Sequence, residues 1–341
     1  MRLTVRKERL RLVDPLVIAN ASYDTELVCV VTLEHDGITA FGEGAAVEDW
    51  GESADGVAAA IDADAVALLG DEPLALERVA RRLAAWDGPH GAKMALDGAL
   101  HDWLGKYVGQ PLWRLFGLDR VTPPTSFTVG IASVDETAAR VRRNPGFGVY
   151  KLKVGGPGDL ERVEAVRAVT GARLRVDGNQ GWTLAAAREL TTRLRELGVE
   201  LVEQPFPDAE RDSYLAYRRL PGRLPVLIDE GAGDLRSVAD VATYADGIVV
   251  KVSRAGGIRE AHRMIHAARA LGLWVMLGCM IESQLGISQA AQLGTLADHV
   301  DLDAHLLLGH QPFTGLGLRA GRLVLGDSPG LGVTRDPAAG A

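Results

Sequence analysis

The chain has 341 residues and 47% hydrophobic content, enough for one large barrel plus a smaller unit. Its net charge of −8, with Lys and Arg scattered, offers no basic patch for nucleic acid, and no run is long and apolar enough to span a membrane. Two cysteines, Cys29 and Cys279, are too few and too far apart for a disulfide framework, and Met1–Glu8 lacks the apolar core of a signal peptide, so a cytoplasmic protein is expected.

Residues 1–48 read as a β meander. Leu3–Val13 alternates weakly, and Glu26–Glu34 and Ile38–Gly44 form a hairpin across His35-Asp36-Gly37. Helical patterns follow at Ala54–Leu69, at Pro73–Trp86 with proline near its first turn, and at Gly91–Tyr107, where Met94, Leu96, Ala99, Leu100, Trp103 and Leu104 recur at helical spacing. Gly117 to Pro124 reads as a linker. Strands and helices then alternate. The candidate strands are Thr125–Gly130, Val149–Val154, Leu174–Asp177, Glu200–Glu203, Val226–Asp229, Gly247–Val252, Trp274–Gly278 and Val300–Leu306, with seven helical stretches between them. This is the pattern of a parallel α/β barrel, with a doubly wound open sheet as the competing layout. The Gly-rich tail, Leu316–Val333, holds one strand-like piece at Leu323–Leu325 and is expected to pack back on the N-terminal unit.

Charged groups recur at the ends of these apolar runs: Lys151 and Lys153, then Asp177, Glu203, Asp229, Lys251, and finally Asp301 and Asp303. Taken singly, each reads as a solvated strand end or a structural ion pair. Taken together in one barrel mouth, they would be costly unless paired or used. Asp177, Glu203 and Asp229 fall on consecutive strands at equal 26-residue intervals. Three carboxylates without nearby Cys or His suit one Mg²⁺ better than zinc. Lys153 and Lys251 come from the strands on either side and would flank that cation. A neutral lysine on one face would remove a proton α to a substrate carboxylate, and an ammonium on the other would return one, through an enediolate. The base needs a lowered pKa, which Lys151 and the cation are expected to provide.

Lys151-Leu152-Lys153, Asp177-Gly178-Asn179-Gln180-Gly181-Trp182, Val202-Glu203-Gln204-Pro205, Asp229-Glu230, and Lys251 with Gly256-Gly257 together resemble the enolase superfamily, in its muconate lactonizing enzyme subgroup. The resemblance covers almost the whole chain. It implies a modified (β/α)7β TIM-type barrel (121–313) with an α+β capping domain (1–120) and a C-terminal segment (about 314–341) returning to the cap. Within the subgroup, Asp301-Leu302-Asp303 resembles the motif by which dipeptide epimerases, the relatives of L-Ala-D/L-Glu epimerase, bind the dipeptide ammonium; two carboxylates at i and i+2 suit that task. Thr128 and the Gly278–Ser283 stretch, with Met280 and Glu282, resemble further substrate-binding positions. Such relatives are often oligomers, so a homo-oligomer is an expectation of the resemblance.

Two departures bear on substrate. Gly231 stands where relatives carry Ser after the Asp-Glu pair. The Asn20–Asp24 loop lacks the arginine that pairs with a glutamate side chain in Ala-Glu epimerases, and Asp24, Glu48 and Asp49 make the cap loops acidic. The expected substrate is a dipeptide with a hydrophobic or cationic side chain. N-Succinylamino acid racemase, o-succinylbenzoate synthase, cycloisomerase and a non-catalytic binding protein remain open. Elsewhere, Tyr23 and Trp50 either line the cap pocket or pack within the cap, and Cys279 reads as a small core residue. His262 and His266 read as a solvated helix face, Arg175 as a buffer for Asp177, Asn179 as hydrogen-bonding near the second lysine, and Gly155–Gly158 as a mobile loop.

Overall fold

Alternation in the first 45 residues produces a three-stranded antiparallel sheet of β1 (Arg2–Val17), β2 (Ser22–His35) and β3 (Ile38–Ala45). A β-bulge between Arg11 and Leu16 lets β1 run past Val13, where the sequence suggests a stop. The hairpin turns on Asp36 and Gly37, both at positive φ (49° and 73°), as a type I′ turn requires. The coordinates are a computed structural model that describes residues 1–337; the last four residues of the expected return segment, 338–341, lie outside the described residues.

Three helices cover this sheet: α1 (Ala54–Leu69), α2 (Leu76–Ala85) and α3 (His90–Tyr107). Pro73 does not open α2 as expected, because residues 72–75 form a turn closed by Ala75 N donating to Glu72 O. Helix α3 is buried almost throughout and presses on β3. A Cβ at Gly42 or Gly44 would lie about 2.0 Å from backbone oxygens of α3, so only glycine permits this approach.

The remaining chain forms an eight-stranded parallel sheet whose strands neighbour each other in chain order. They are Phe127–Val129, Val149–Lys153, Arg173–Asp177, Val199–Glu203, Val226–Ile228, Gly247–Lys251, Trp274–Gly278 and His299–Val300, hereafter the first to eighth barrel strands. A parallel bridge between Thr125 and Val300 joins the two ends, so the open-sheet alternative is set aside. Leu201, Leu227, Val249 and Met276 form a separate buried apolar cluster from four successive strands. No helix of the described residues is long and apolar enough to cross a membrane.

Two further segments differ from the sequence reading. Residues Val121–Pro124 are a strand, not a linker, and pair with Arg322–Val324 of the tail. Their prolines disguised the pattern, but only an edge strand is formed, where proline is tolerated. The eighth strand stops at Val300, and Ala304–Leu307 is a 3₁₀ turn. The ladder ends because side chains take over: Thr125 Oγ1 accepts from Leu302 N at 2.9 Å.

The tail ties the units together through Asp102 on α3. One of its oxygens accepts from Leu331 N (2.8 Å), and the other from Phe41 N (2.8 Å) and Lys106 Nζ (2.7 Å). Asp102→Ala would strand two amides, both partners of a buried carboxyl. We expect a loss of about 3–5 kcal/mol in urea denaturation. A loss below about 1 kcal/mol would show that this tie is not structural.

Candidate functional site

Strand alternation puts Lys151 and Lys153 on one face and Leu152 in the outer core. Register then lines up the row of charges. Lys153 pairs with Asp177, and Asp177 with Glu203, while Asp229 lies two residues past Leu227, the partner of Glu203. Lys251 ends the sixth strand. All five sit at the carboxyl ends of consecutive strands. Gln204 fixes the position of Asp229. Its Oε1 accepts from Asp229 N (2.8 Å) and Glu230 N (3.1 Å), and its Nε2 donates to Tyr214 Oη (2.8 Å).

The ammonium groups are threaded among the acids. Lys151 Nζ lies 2.6 Å from Glu203, 2.7 Å from Asp301 and 3.0 Å from Asp177. Lys153 Nζ donates to Asp177 Oδ2 at 2.7 Å, and Lys251 Nζ to Asp229 Oδ2 at 2.6 Å. With lysines interleaved in this way, no set of acids, His or Cys stands in metal-ligating geometry among the described residues.

Burial alone would lower Lys151, but Asp177, Asp301 and Glu203 outweigh it and hold it well above the usual lysine range. Lys251 is likewise raised: burial opposes, and Asp229 prevails. The lowered lysine pKa expected for a base is therefore not met while the acids pair with these amines. Asp177, Asp229 and Asp301 run the other way, pulled down by their lysines against the effect of burial. Burial and the neighbouring acids push Glu203 up to about 8, and Glu230 and Asp303 up to about 7. The 2.6 Å contact with Lys151 does not offset this for Glu203, because Asp177, Asp229 and Asp301 all crowd the same carboxyl.

A cavity opens above this row, roofed by the cap. Thr128, Lys151, Lys153, Asn179, Asp229, Lys251, Met280, Asp301 and Asp303 line it from the barrel. Tyr23, Glu26, Glu48 and Asp49 line it from the cap, with Leu16 and Ile18 as apolar surface. Asp303 is held by Thr128, whose N donates to Oδ2 (2.5 Å) and whose Oγ1 donates to Oδ1 (3.1 Å). Asp301 keeps Oδ1 buried without a hydrogen-bond partner.

Several expected positions fall elsewhere. Glu282 is not on the cavity wall: it is 2% exposed, and its Oε1 accepts from Met280 N at 3.0 Å. Asp24 is also outside the lining. Trp50 packs edge-on to His90 instead. Arg175 does not reach Asp177; it plugs the barrel interior, bound to Glu200, Ser126, Val300 O and His299. Asn179 does hydrogen-bond beside the second lysine: its backbone N donates to Asp177 Oδ1, and Asp177 Oδ2 accepts from Lys153. Gly155–Gly158 is tied down, because Asp159 Oδ2 accepts from Gly155 N, Gly156 N and Trp182 Nε1. A Cβ at Gly231 would lie 2.2 Å from Asp208 Oδ1, which occupies that space. Cys279 borders the cavity, its thiol donating to Asp301 O at 3.3 Å. His262 and His266 face each other on a helix surface.

Three residues were missed. Arg254, 2% exposed, lines the cavity and bonds Asp49 of the cap at 2.6 Å. Its position three residues after Lys251, just beyond a strand end, was the available signal. Glu26 and Glu230 also face the cavity. Nothing in β2's alternation singled out Glu26, which burial pushes up to about 7.

The fold and the site thus define a capped α/β barrel with acid–base groups at its carboxyl-end mouth. The chain belongs to the mandelate racemase/muconate lactonizing enzyme family: residues 1–117 match its N-terminal domain and 133–339 the enolase C-terminal domain-like model. It is 34% identical to an L-Ala-D/L-Glu epimerase of Bacteroides thetaiotaomicron, over 98% of this chain and 88% of that one. Its fold superposes on the substrate-liganded L-Ala-D/L-Glu epimerase of Bacillus subtilis with TM-score 0.92 at 29% identity, covering 98% of each chain. The dipeptide epimerase of Methylococcus capsulatus, complexed with Mg and L-Arg-D-Lys, gives TM-score 0.91 at 31% identity, covering 98% of this chain and 99% of that one.

Behind the wall, Glu282 meets the cap. Glu43 of β3 accepts from Ser283 N (2.8 Å) and from Ser283 Oγ. An atom at the Cβ position of Gly286 would lie 2.5 Å from Glu43 Oε1 and 2.7 Å from Glu282 Oε2, so the two carboxyls converge there. Burial pushes Glu43 up to about 7, and burial with the neighbouring Glu43 pushes Glu282 up to about 8. Between about pH 4.5 and 8 the folded protein holds protons here that the unfolded chain has released, so this pair's contribution to stability falls as pH rises through that window. We expect Glu282→Gln to flatten the fall, read as the difference in urea midpoint from wild type at pH 5 and pH 8. An unchanged difference would place the titration elsewhere.

Proposed function

We propose that this protein epimerises a dipeptide by 1,1-proton transfer between two lysines. The observation that carries this reading is the ordered row Lys153, Asp177, Glu203, Asp229, Lys251 on five consecutive strands, beneath the cap. Lys153 and Lys251 each have a single acid partner and stand at opposite ends of the row, both on the cavity wall. One would take the α-proton and the other deliver a proton to the opposite face, inverting the centre.

Asp177, Glu203 and Asp229 are the residues that would hold Mg²⁺. Glu203 Oε1 and Asp229 Oδ1 are buried oxygens without a hydrogen-bond partner, which a hard cation satisfies. Bound there, the ion supplies Lewis-acid stabilisation of charge on a substrate carboxylate. Asp177 and Asp229, once shared with the ion, would hold Lys153 and Lys251 less tightly.

Asp301 and Asp303 would seat the dipeptide ammonium, supported by the unpartnered Asp301 Oδ1. Thr128 and Met280 would contact substrate beside them. Lys151, pinned by three acids, would act by positioning and by its field. On the cap side, Arg254 is spent on Asp49, leaving Glu26 and Glu48 without a cation in ion-pair contact among the described residues. A cationic or apolar side chain fits such a wall better than a glutamate, and so does a free ammonium better than an N-succinyl group. We assign residues 1–120 to the cap and 121–313 to the barrel, with the tail joining both.

Incubating a dipeptide library with the protein and Mg²⁺ in D₂O should give α-proton exchange and epimerisation, strongest for Lys-, Arg- or Leu-type residues. Best turnover on Glu-containing dipeptides would reject the substrate assignment. Lys153→Ala and Lys251→Ala should each cut epimerisation by about 10²–10⁴-fold, each keeping exchange with only one stereoisomer. Chelation should abolish turnover and added Mg²⁺ restore it. Asp301→Asn should weaken dipeptides selectively; equal turnover of an N-succinylamino acid by wild type would point to the racemase reading instead. Glu26→Gln and Glu48→Gln should each raise KM for cationic dipeptides about three- to tenfold while sparing apolar ones.

A further inference from the structure

One residue of the barrel interior breaks the pattern of its layer. Side chains two residues apart on a strand share a face, so each residue at the mouth has a neighbour one step below it. Below Glu203, Asp229 and Lys251 these neighbours are Leu201, Leu227 and Val249, which with Met276 of the seventh strand form the apolar cluster already described. Below Asp177, on the third strand, stands Arg175, 1% exposed. A buried ion pair is weak support for stability, because apolar side chains of similar volume often serve as well. A guanidinium in this layer therefore calls for a geometric reason.

Its contacts supply one. Nε donates to Glu200 Oε1 of the fourth strand at 2.5 Å, which balances the charge. Nη1 donates to Ser126 Oγ (3.1 Å) and Val300 O (3.1 Å), and lies 3.7 Å from Met276 Sδ. Nη2 donates to His299 Nδ1 at 3.0 Å. Arginine has no acceptor, so this Nδ1 carries no proton, in keeping with burial and Arg175 pushing His299 down to about 4. The planar fork thus spans the barrel, from its third and fourth strands to the residues where the first and eighth meet. That is where the sheet has least backbone support. Every other pair of neighbouring barrel strands shares a ladder, whereas this seam has the single Thr125–Val300 bridge, with Ser126 N donating to Val300 O at 3.0 Å. The two residues that Arg175 holds also lie directly below the Asp301 and Asp303 pair. Val300 precedes Asp301, and Ser126 is two residues before Thr128, which binds Asp303.

We propose that Arg175 is the positioning residue of the ammonium seat: by bracketing Ser126 and Val300 it holds the eighth strand against the first, and so sets Asp301 and Asp303 at their places beside Lys151 and Thr128. This rests on the assignment of those two acids to the dipeptide ammonium. The guanidinium touches no substrate and does not line the cavity. Among the described residues it makes no hydrogen bond to Lys153, Asp177, Glu203, Asp229 or Lys251. Its loss should therefore disturb the seat and spare the row of lysines and metal-holding acids.

The test compares Arg175→Met and Arg175→Lys with wild type, each as the Mg²⁺-loaded full chain, by dipeptide kinetics, Mg²⁺ calorimetry and amide hydrogen exchange. Arg175→Met should raise KM at least about tenfold, with kcat within about threefold and Mg²⁺ affinity unchanged. Arg175→Lys keeps the charge but lacks the fork, so its KM should stay nearer to that of Arg175→Met than to wild type. In both variants the amides of Asp301 and Leu302, bonded to Leu277 O (2.8 Å) and Thr125 Oγ1 (2.9 Å), should exchange faster. Those of Gly178 and Gln204, bonded to Glu203 O and Leu227 O on the metal side, should keep their rates. Ser126→Ala removes one arm of the bracket and leaves the guanidinium in place; it should raise KM about two- to tenfold and serves where the Arg175 variants do not fold. A wild type inert toward every dipeptide would reject the dipeptide reading, and the exchange pattern would still decide whether Arg175 holds these acids. A KM kept within about twofold in Arg175→Met, or in Ser126→Ala where the Arg175 variants do not fold, would overturn the proposal. So would full rescue by Arg175→Lys, or exchange rising equally at Gly178 and Gln204.

Discussion

The ammonium of Lys151 is the constraint on which the barrel mouth depends. Within 3.0 Å it meets carboxylates from the third and fourth strands and from the segment after the eighth. Two like charges about 4 Å apart repel by ~4 kcal/mol at the effective dielectric of a protein site. Three acids gathered without a cation would not stay buried and ionised together. Lys151 lets them gather, and in doing so it separates the lysines into two kinds. Lys151 has three partners and no freedom. Lys153 and Lys251 have one acid each and border the cavity, so a competing cation or substrate can release them. In the proposed reaction only the second kind need exchange protons.

The cap completes what the barrel begins, and it is attached by directional polar ties as well as by apolar contacts. The cap has an apolar core of its own, but Val30, Met94 and Leu112 join the barrel core, and Leu10, Leu12, Val28 and Ala45 cluster with Ile281 and Leu308. Between the two units run Glu43 to Ser283, Gln289 to the backbone of Glu43, Asp102 to Leu331, and Asp49 to Arg254. Directional bonds fix the register of the two units, so cap residues such as Glu26 stand at defined places over the lysines.

The barrel was legible because buried parallel strands read as short apolar runs, and a charged residue at the end of such a run is conspicuous. The same logic placed Lys151, Lys153, Asp177, Glu203, Asp229 and Lys251 at one mouth before any coordinates. Legibility failed where structure comes from side chains meeting backbone. Thr125 Oγ1 ends the eighth strand, and Asp159 knots the Gly155–Gly158 loop; neither leaves a periodic trace. It failed also where contacts cross between units. Arg254 looked like one more scattered arginine until Asp49 stood opposite it, and Glu282 looked like a wall residue until Glu43 drew it behind the wall. Val121–Pro124 was hidden because its partner strand lies some two hundred residues away.

The buried acids show how one residue type is set to opposite states by its neighbours. Asp177, Asp229 and Asp301 face ammonium groups and are held ionised against burial. Glu43 and Glu282 face hydroxyl and amide donors and each other, so burial prevails and both are pushed up. The first group is ready to exchange one cation for another, as a metal site must be. The second holds part of its protons at neutral pH, carries correspondingly less charge, and serves as hydrogen-bonded packing. Carboxyls are thus buried on both sides of the wall formed by Met280–Ser283, and the ammonium-paired ones stand on the side of the barrel mouth.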